Sequence, residues 1–248
     1  MSSPSSRPAP TLVHATNFRD LAERVRPALP LRAGLLFRSD HLGALSDDDA
    51  RALRGLGLRR VLDFRGERER LSAPCALPEA QVHSLSIEPT IVQVLSNLVA
   101  SGHRPTVAEV VGHMQDTYRG FVRQHTHRFA EFFHHLLESP QPTVFHCTAG
   151  KDRTGLAAAL LLHALGARPE DILADYLLTN DRLRPPPLAG LGLAPEVARV
   201  LWGVQPAFLD AAWEAVRGAH GSIDQFLARG LGLGEAERKR LRALYLEN

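Results

Sequence analysis

Residues 145–156, FHCTAGKDRTGL, constrain the fold of this chain more than any other stretch. They join the apolar residues PTV to the helical pattern AAALLLHAL. A strand before Cys147 and a helix after it place this cysteine at the carboxyl edge of a sheet, where open α/β sheets bind ligands. Gly150 permits backbone angles that a side chain would resist, and Gly155 permits a close approach where the helix begins. The stretch predicts a strand–loop–helix unit.

The rest of the chain alternates between strand and helix patterns. Four segments read as strands, namely residues 34–38, 60–65, 81–87 and 142–147. Between the first two, Ser46 can cap a helix, three aspartates favour its positive end, and Gly57 can terminate it. A helical region runs from about Val107 to Leu137, with an irregularity expected near Gly120. Together with the helical patterns after the loop, this predicts an α/β domain with a central, mostly parallel sheet flanked by helices and a helical C-terminal portion.

The domain organisation follows from length and local composition. A chain of 248 residues fits one domain. Residues 1–10 are polar and rich in Pro and Ser, so we expect a disordered tail followed by one domain over residues 11–248. The segment 181–196 is rich in Pro and Gly, and residues 181–204 are a candidate lid or surface loop.

Charge and composition exclude several classes of function. The net charge of +2 is too small for bulk attraction to nucleic acid or to an anionic membrane. No apolar run approaches the length of a membrane span, so no integral membrane association is expected. Two cysteines are too few for a disulfide framework, and the N-terminus has no apolar signal region. We therefore expect a cytoplasmic protein. Export by a leaderless route would leave no trace in the sequence. The twelve histidines match no familiar metal-ligand spacing, so no metal is expected.

The loop from Cys147 to Arg153 has the composition of an anion-binding site. Backbone N–H groups in such a turn, together with a helix start, form a concave cradle for a phosphate-sized anion. The same field favours the thiolate of Cys147, and the Arg153 guanidinium can grip two phosphate oxygens. The predicted phosphate-binding residues are Thr148, Ala149, Gly150, Lys151, Asp152 and Arg153.

These residues predict a reaction in two steps. Cys147 attacks phosphorus, and water then hydrolyses the phosphocysteine. Thr154 can hydrogen-bond the sulfur and assist its departure, while His146 is expected to position the loop rather than to act as the base.

A structural interpretation competes with the catalytic one. A cysteine that ends a buried strand is usually a packed apolar residue, and Cys-x5-Arg is a weak pattern in a chain with 29 basic residues, only two of them lysines. The catalytic interpretation is favoured because strand, helix, both glycines and Thr154 all stand in mutually consistent places. Cys75 provides a comparison for the Cys-x5-Arg pattern. The residue six positions after it is Gln81 and not an arginine, so Cys75 does not fit the pattern. Cys75 is either inert or able to cap Cys147 in a protective disulfide. We expect it to be inert, because the sequence gives no geometric reason that places it near Cys147.

The loop and several flanking segments resemble a known family. HCTAGKDRTG is similar to the signature of the cysteine-dependent protein tyrosine phosphatase superfamily, and its Lys-Asp-Arg ending resembles the bacterial tyrosine and lipid phosphatases. The supporting segments are NFRDL at 17–21, RSD at 38–40, DFRGERE at 63–69, DYLLTN at 175–180, GSIDQFL at 221–227 and LRALYLE at 241–247. One departure is visible, since the first motif usually continues with paired glycines where this chain has Ala22 and Glu23.

The resemblance implies a phosphatase-like fold and hydrolysis of phosphate monoesters without metal or organic cofactor. The implied partners are a phosphorylated protein or a phosphoinositide as substrate, and inorganic phosphate as product. A loop lysine is associated with phosphoinositide activity in this group, which is consistent with Lys151 acting as a mobile charge for a polyphosphorylated head group.

The general acid has two candidates. A Trp-Pro-Asp segment is absent from the sequence. The bacterial group suggests Asp152. Asp63, which ends a strand next to the site in the family fold, is the second candidate acid. Its alternative role is to orient Arg65, and the two roles could be shared.

Two other classes of function compete with a phosphatase. The loop could bind phosphate without turnover, or it could support rhodanese-like sulfur transfer. The intact set of Cys, Arg and Asp favours phosphoryl chemistry, and the oligomeric state is left open.

Overall fold

The computed structural model describes residues 9–25, 28–88, 98, 101–184 and 193–247. Five strands are present in this part of the chain: β1 Arg19–Asp20, β2 Leu36–Ser39, β3 Arg60–Asp63, β4 Gln81–Ser84 and β5 Thr143–His146. The helices are α1 Ala22–Val25, α2 Asp47–Gly55, α3 Glu67–Ser72, α4 Val107–Gln124, α5 Thr126–Glu138, α6 Arg153–Leu165, α7 Pro169–Leu177, α8 Thr179–Arg182, α9 Pro195–Trp202, α10 Pro206–His220, α11 Ile223–Gln225 and α12 Glu235–Tyr245. A π-helical turn, Phe226–Gly230, follows α11.

The strands form one sheet in the order β1-β2-β5-β3-β4. β5 lies at its centre and runs parallel to both β2 and β3, while β1 is antiparallel to β2. In the register of the sheet, His146 pairs with Ser39 on one side and with Asp63 on the other. The carboxyl ends of three parallel strands therefore meet at one edge, directly before Cys147.

Two apolar clusters cover the two faces of the sheet. Val144 belongs to one and its neighbour Phe145 to the other, because successive side chains of a strand point to opposite faces. Val61 and Leu62 divide between the clusters in the same way. Helices pack on both faces, which confirms the predicted mostly parallel α/β fold.

The helix between β2 and β3 follows the predicted capping. The Ser46 hydroxyl accepts from the N–H of Asp49, and the Asp49 carboxylate accepts from the N–H of Ser46, which together make a capping box. The helix ends at Gly55, two residues before Gly57, whose φ is +68°. The βαβ unit is therefore confirmed.

Three local expectations differ from the structure. The long helical region is two helices that break at His125 rather than at Gly120, because a glycine fits inside a helix while His125 leaves helical angles at φ −120° and ψ 16°. The predicted strands 60–65 and 81–87 end at Asp63 and Ser84, beyond which the chain leaves the sheet. β1 was not predicted, since two residues are too few for a periodic pattern.

Parts of the domain predictions lie outside the described residues. This applies to residues 1–8 of the expected tail and to 185–192 of the candidate lid. The remainder of the segment 181–204 contains the end of α8 and all of α9. In the part of the chain that the structure describes, no helix combines the length and apolarity needed to cross a bilayer.

Candidate active site

The loop from Cys147 to Arg153 connects β5 to α6 at the carboxyl edge of the sheet. Cys147 is buried, with 2% of its surface exposed. Gly150 has φ +66°, and a Cβ at this position would lie 2.2 Å from the Ser39 carbonyl oxygen. Only glycine fits this approach to the end of β2.

Side chains from β2 and the N-terminal segment hold the carbonyl groups of the loop. Asn17 Nδ2 donates to the carbonyls of Ala149 and Gly150, both at 3.0 Å. Arg38 Nη2 donates to the same Gly150 carbonyl at 2.8 Å. In a trans peptide the following N–H points away from the carbonyl, so these contacts turn the amides of Gly150 and Lys151 away from the supporting side chains.

The loop amides are available to a ligand. The N–H groups of residues 148–153 donate to no residue that the structure describes. Unused amides at the start of a helix, next to a buried cysteine, are the arrangement that an anion cradle requires. Binding of phosphate by these residues stays a prediction.

Arg153 is held by a carboxylate that the sequence analysis did not identify. Its Nη1 donates to Glu69 Oε2 at 2.7 Å and its Nη2 donates to Glu69 Oε1 at 3.0 Å. Nη1 also donates to the Ile87 carbonyl at 2.8 Å. Burial alone lowers the pKa of Arg153, but Cys147 and Glu69 outweigh it and hold this pKa above its ordinary value.

Glu69 also reaches the other end of the loop. It accepts a short hydrogen bond from the Thr148 hydroxyl and another from the Gly66 N–H at 2.7 Å. Burial raises the pKa of Glu69, but the contacts with Arg153 and Thr148 lower it to a net value below the usual range. The carboxylate therefore joins α3 to both ends of the loop. The one hint in the sequence was that Glu69 lies on α3, the helix that follows β3, and β3 is next to β5 in the sheet. This position alone does not distinguish Glu69 from other carboxylates at helix starts.

Asp152 lies at the start of α6 with one oxygen fully engaged. Its Oδ1 accepts from Lys151 Nζ at 2.8 Å and from the Tyr118 hydroxyl at 3.0 Å. The Tyr118 and Tyr176 hydroxyls are 2.6 Å apart. The Tyr118 ring is buried, and no sequence pattern predicted that its hydroxyl contacts Asp152.

The expectation that Lys151 is a mobile charge is wrong for this structure. Only 4% of its surface is exposed, and its ammonium is bound to Asp152 and lies 3.4 Å from the Gly203 carbonyl oxygen. A buried charge needs such partners, because desolvation would otherwise be costly. Lys151 therefore joins the loop to the segment between α9 and α10.

Asp63 is paired with Arg65 in the interior. Arg65 Nε donates to Asp63 Oδ1 at 3.0 Å and Nη2 donates to Oδ2 at 2.7 Å, and 1% of the Asp63 surface is exposed. Burial raises the pKa of Asp63, but His146 and Arg65 hold it below its ordinary value. A carboxylate in this state favours the orienting role over the role of proton donor.

His146 and Thr154 lie directly behind the loop. His146 Nδ1 is 3.0 Å from the Cys147 carbonyl oxygen and donates this hydrogen bond, because a carbonyl oxygen can only accept. Burial lowers the pKa of the His146 ring. The Thr154 hydroxyl is buried and has no hydrogen-bond partner among the described residues. This leaves the hydroxyl free for the predicted contact with sulfur.

The remaining candidates are the second cysteine and a metal site. Cys75 is a free thiol that is half-buried, and burial raises the pKa of its thiol. In the described part of the chain, no three His, Cys, Asp or Glu side chains are grouped so that they could hold a metal ion.

Comparison with known proteins identifies the family of this chain. A model of the tyrosine phosphatase family matches residues 10–247. A protein of Cupriavidus necator named as a tyrosine-protein phosphatase is 35% identical over 226 residues, which cover 87% of this chain and 80% of the relative. The triple specificity protein phosphatase PtpB of Mycobacterium tuberculosis is 33% identical, covering 94% of this chain and 97% of the relative.

A solved structure gives a weaker likeness. The crystal structure of TpbA from P. aeruginosa covers 82% of this chain and 98% of its own, at 20% identity and a TM-score of 0.32. That score is too low to carry an argument. The family model and the two relatives do carry one, and they show that this chain belongs to the tyrosine phosphatase family.

Proposed function

We propose that this protein hydrolyses phosphotyrosine and related phosphate monoesters through a phosphocysteine intermediate. The observation that supports the proposal most directly is the loop itself. Its amides donate to no described residue, and they surround a buried cysteine opposite a clamped arginine. Donors placed in advance around a phosphoryl group stabilise the charge of its transition state.

The number of free donors on Arg153 supports its role in binding phosphate. A guanidinium has five N–H donors in a fixed planar arrangement. Glu69 takes one donor from each Nη atom, and Ile87 takes a second from Nη1. The N–H groups left without a described partner are on Nε and Nη2, along one edge, where they can bind two phosphate oxygens.

In the first step, the Cys147 thiolate attacks phosphorus and the bond from phosphorus to the leaving oxygen breaks. Asp152 gives its proton to that oxygen. In the second step, water attacks phosphorus, the S–P bond breaks, and Asp152 takes the proton from water. The products are inorganic phosphate and the restored thiolate, while Thr154 stabilises the departing sulfur.

We extend the proposal to phosphoserine, phosphothreonine and phosphoinositide substrates in a reducing, cytoplasmic environment. The name of the mycobacterial relative, which denotes triple specificity, supports a broad substrate range. Free thiols at both cysteines are compatible with a reducing compartment. Because Lys151 is ion-paired, a polyphosphorylated head group would have to compete with Asp152 for its ammonium.

The test is phosphate release from p-nitrophenyl phosphate and from a panel of phosphopeptides and phosphoinositides. We expect Cys147→Ser to lose activity by a factor on the order of 10⁴ or more, as nucleophile removal does in other covalent enzymes. Cys75→Ser is the control and should keep the activity of the wild type. Equal activity of wild type and Cys147→Ser would overturn the mechanism. Phosphate binding without release would indicate a binding module, and thiosulfate turnover would indicate sulfur transfer.

A further inference from the structure

We propose that Tyr118, supported by Tyr176, is a positioning residue that determines which oxygen of Asp152 exchanges the proton. This inference rests on the proposed function, in which Asp152 is the general acid. The structure assigns the proton-carrying role to Oδ2 and an anchoring role to Oδ1.

The two oxygens of Asp152 have different surroundings. Oδ1 accepts from the Tyr118 hydroxyl at 3.0 Å and from Lys151 Nζ at 2.8 Å. Oδ2 accepts from no residue that the structure describes, and the side chain is 19% exposed. An oxygen that faces two donors has no room for a proton of its own, so a protonated Asp152 carries its proton on Oδ2.

The direction of the hydrogen bonds follows from the number of protons available. A phenol has one O–H donor, and Tyr118 uses it for Asp152. The 2.6 Å contact between the two hydroxyls must then be a donation from Tyr176 to Tyr118. Burial, and then the negative charge of Asp152, raise the pKa values of both phenols well above the ordinary value, so both remain donors over the working range of pH.

Three helices bring this chain of hydroxyls together. Tyr118 lies on α4 and Tyr176 on α7, and both rings are almost fully buried. At Gly155 in α6, a Cβ would lie 2.9 Å from the Tyr176 ring atom Cε2. The glycine therefore allows the Tyr176 ring to pack against α6, one turn from Asp152.

The chemical consequence is a fixed direction of proton transfer. In the first step, the Oδ2 proton passes to the leaving oxygen as its bond to phosphorus breaks, and Oδ1 stays bound to Tyr118. In the second step, Oδ2 takes the proton of the attacking water. Without the Tyr118 hydroxyl, Oδ1 keeps only the contact with Lys151, so the carboxyl group is less restricted and its proton is directed less often at the leaving oxygen.

The test is Tyr118→Phe, which removes one oxygen and keeps the ring. For phenyl phosphate, whose leaving group needs a proton, we expect kcat/KM, which reports the reaction up to formation of the phosphocysteine, to fall about tenfold or more, the order expected for loss of a hydrogen bond to a charged group. For 2,4-dinitrophenyl phosphate, whose leaving group needs no proton, we expect kcat/KM to change by less than about threefold. Equal losses on both substrates would overturn the inference.

Tyr245→Phe is the matched control. The buried Tyr245 hydroxyl donates to the Leu136 carbonyl at 2.9 Å, on α5, so its removal deletes a comparable hydrogen bond away from Asp152. It should change neither kcat nor the leaving-group preference. A leaving-group preference in Tyr245→Phe like that of Tyr118→Phe would show a general structural effect and overturn the inference.

Two further variants distinguish a failure of the proposed acid, Asp152, from a failure of the positioning role of Tyr118. If Asp152→Asn hydrolyses phenyl phosphate as fast as wild type, the assignment of the acid fails and the inference fails with it. If Asp152→Asn is impaired, Tyr118→Phe on that background should add no further loss, and an additive loss would overturn the positioning role alone. Tyr176→Phe, which leaves the Tyr118–Asp152 bond in place, should show the same preference more weakly. This variant tests the hydrogen-bonded hydroxyls even if Tyr118→Phe folds poorly. In that case, a Tyr176→Phe variant with the leaving-group preference of wild type would overturn the inference.

Discussion

At the scale of single residues, the way Arg153 is held decides what the loop can bind. A free guanidinium on a flexible side chain would have to be ordered by each substrate, at an entropic cost. Glu69 and the Ile87 carbonyl hold one end of the group in place before substrate arrives. The opposite edge, with Nε and Nη2, is left for the phosphoryl oxygens. Preorganised donors of this kind contribute more to the transition state than flexible ones.

Glu69→Gln is expected to lower kcat/KM by roughly ten- to hundredfold, the order for losing a hydrogen bond to a charged group. The amide NH2 would face an Arg153 donor in either orientation, together with Thr148 at the Oε1 position or Gly66 at the Oε2 position, and would disturb the loop. Inorganic phosphate should become a weaker competitive inhibitor to a similar degree. The measurements are steady-state kinetics and phosphate inhibition.

Glu67→Gln is the control for this prediction, because Glu67 lies on the same helix and is exposed. It should behave as wild type. If Glu69 instead blocked the anion site, Glu69→Gln would bind phosphate more tightly, and that result would refute the positioning role.

At the scale of elements, α2 illustrates how one side chain joins a helix to a distant segment. Asp49, in the first turn of α2, accepts from the Val13 N–H at 2.9 Å and from the His14 ring at 2.9 Å, as well as from Ser46. Burial raises the pKa of Asp49, but these donors lower it to about 2. The N-terminal segment is therefore held to α2 by a carboxylate that has to be ionised.

Asp49→Asn is expected to lower the free energy of unfolding at pH 7 by about 2.5 kcal/mol, the value of a pKa difference of roughly two units. The folded pKa lies below the unfolded one, so this stabilisation is present above the unfolded pKa and is lost as pH falls through the folded pKa. The difference between wild type and variant should therefore shrink from pH 4 towards pH 2. Urea unfolding at several pH values measures it.

Asp48→Asn provides the comparison, since the Asp48 side chain is 86% exposed on the same helix. Its unfolding curve should match that of wild type at every pH. A constant difference between wild type and Asp49→Asn down to pH 2 would contradict the role of ionisation.

At the scale of the whole molecule, a buried ion cluster joins the C-terminal helices to the sheet and to the loop. Asp175 on α7 accepts from Arg19 Nε at 2.9 Å and from Arg38 Nη1 at 2.6 Å. Burial raises the pKa of Asp175, but the two arginines hold it below its ordinary value. Burial also lowers the pKa of Arg19 to about 10. Because Arg38 also donates to the Gly150 carbonyl, packing of the helices and the shape of the loop depend on each other.

Asp175→Asn is expected to destabilise the protein by about 3 to 5 kcal/mol, because it leaves two buried arginines without a counter-charge. Activity at a temperature where the variant is folded should also fall, since Arg38 positions Gly150. Denaturant unfolding and steady-state kinetics measure the two effects.

Asp171→Asn, on the same helix, removes an ion pair with the exposed Arg168. It should leave both stability and activity close to those of wild type. Equal stability of the Asp175 and Asp171 variants would show that the buried cluster contributes little.

The sequence by itself determined the local parts of this protein. Apolar periodicity identified β2 to β5 and the long helices, because spacing along the chain decides which face a residue presents. Ser46 identified the start of α2, and the loop from Cys147 to Arg153 was recognised from a strand, a turn and a helix that adjoin in sequence. These features depend on neighbours a few residues apart.

Only the tertiary structure decided the contacts that complete the site. Glu69 meets Arg153 from 84 residues away, and Tyr118 meets Asp152 from 34 residues away. No local pattern distinguishes Glu69 from other helix-start carboxylates, or Tyr118 from other core aromatics. Lys151, expected to be mobile, is buried because α6 and the segment before α10 enclose it. Side-chain partners of this kind are set by the packing of helices on the sheet, and that packing is a property of the whole chain.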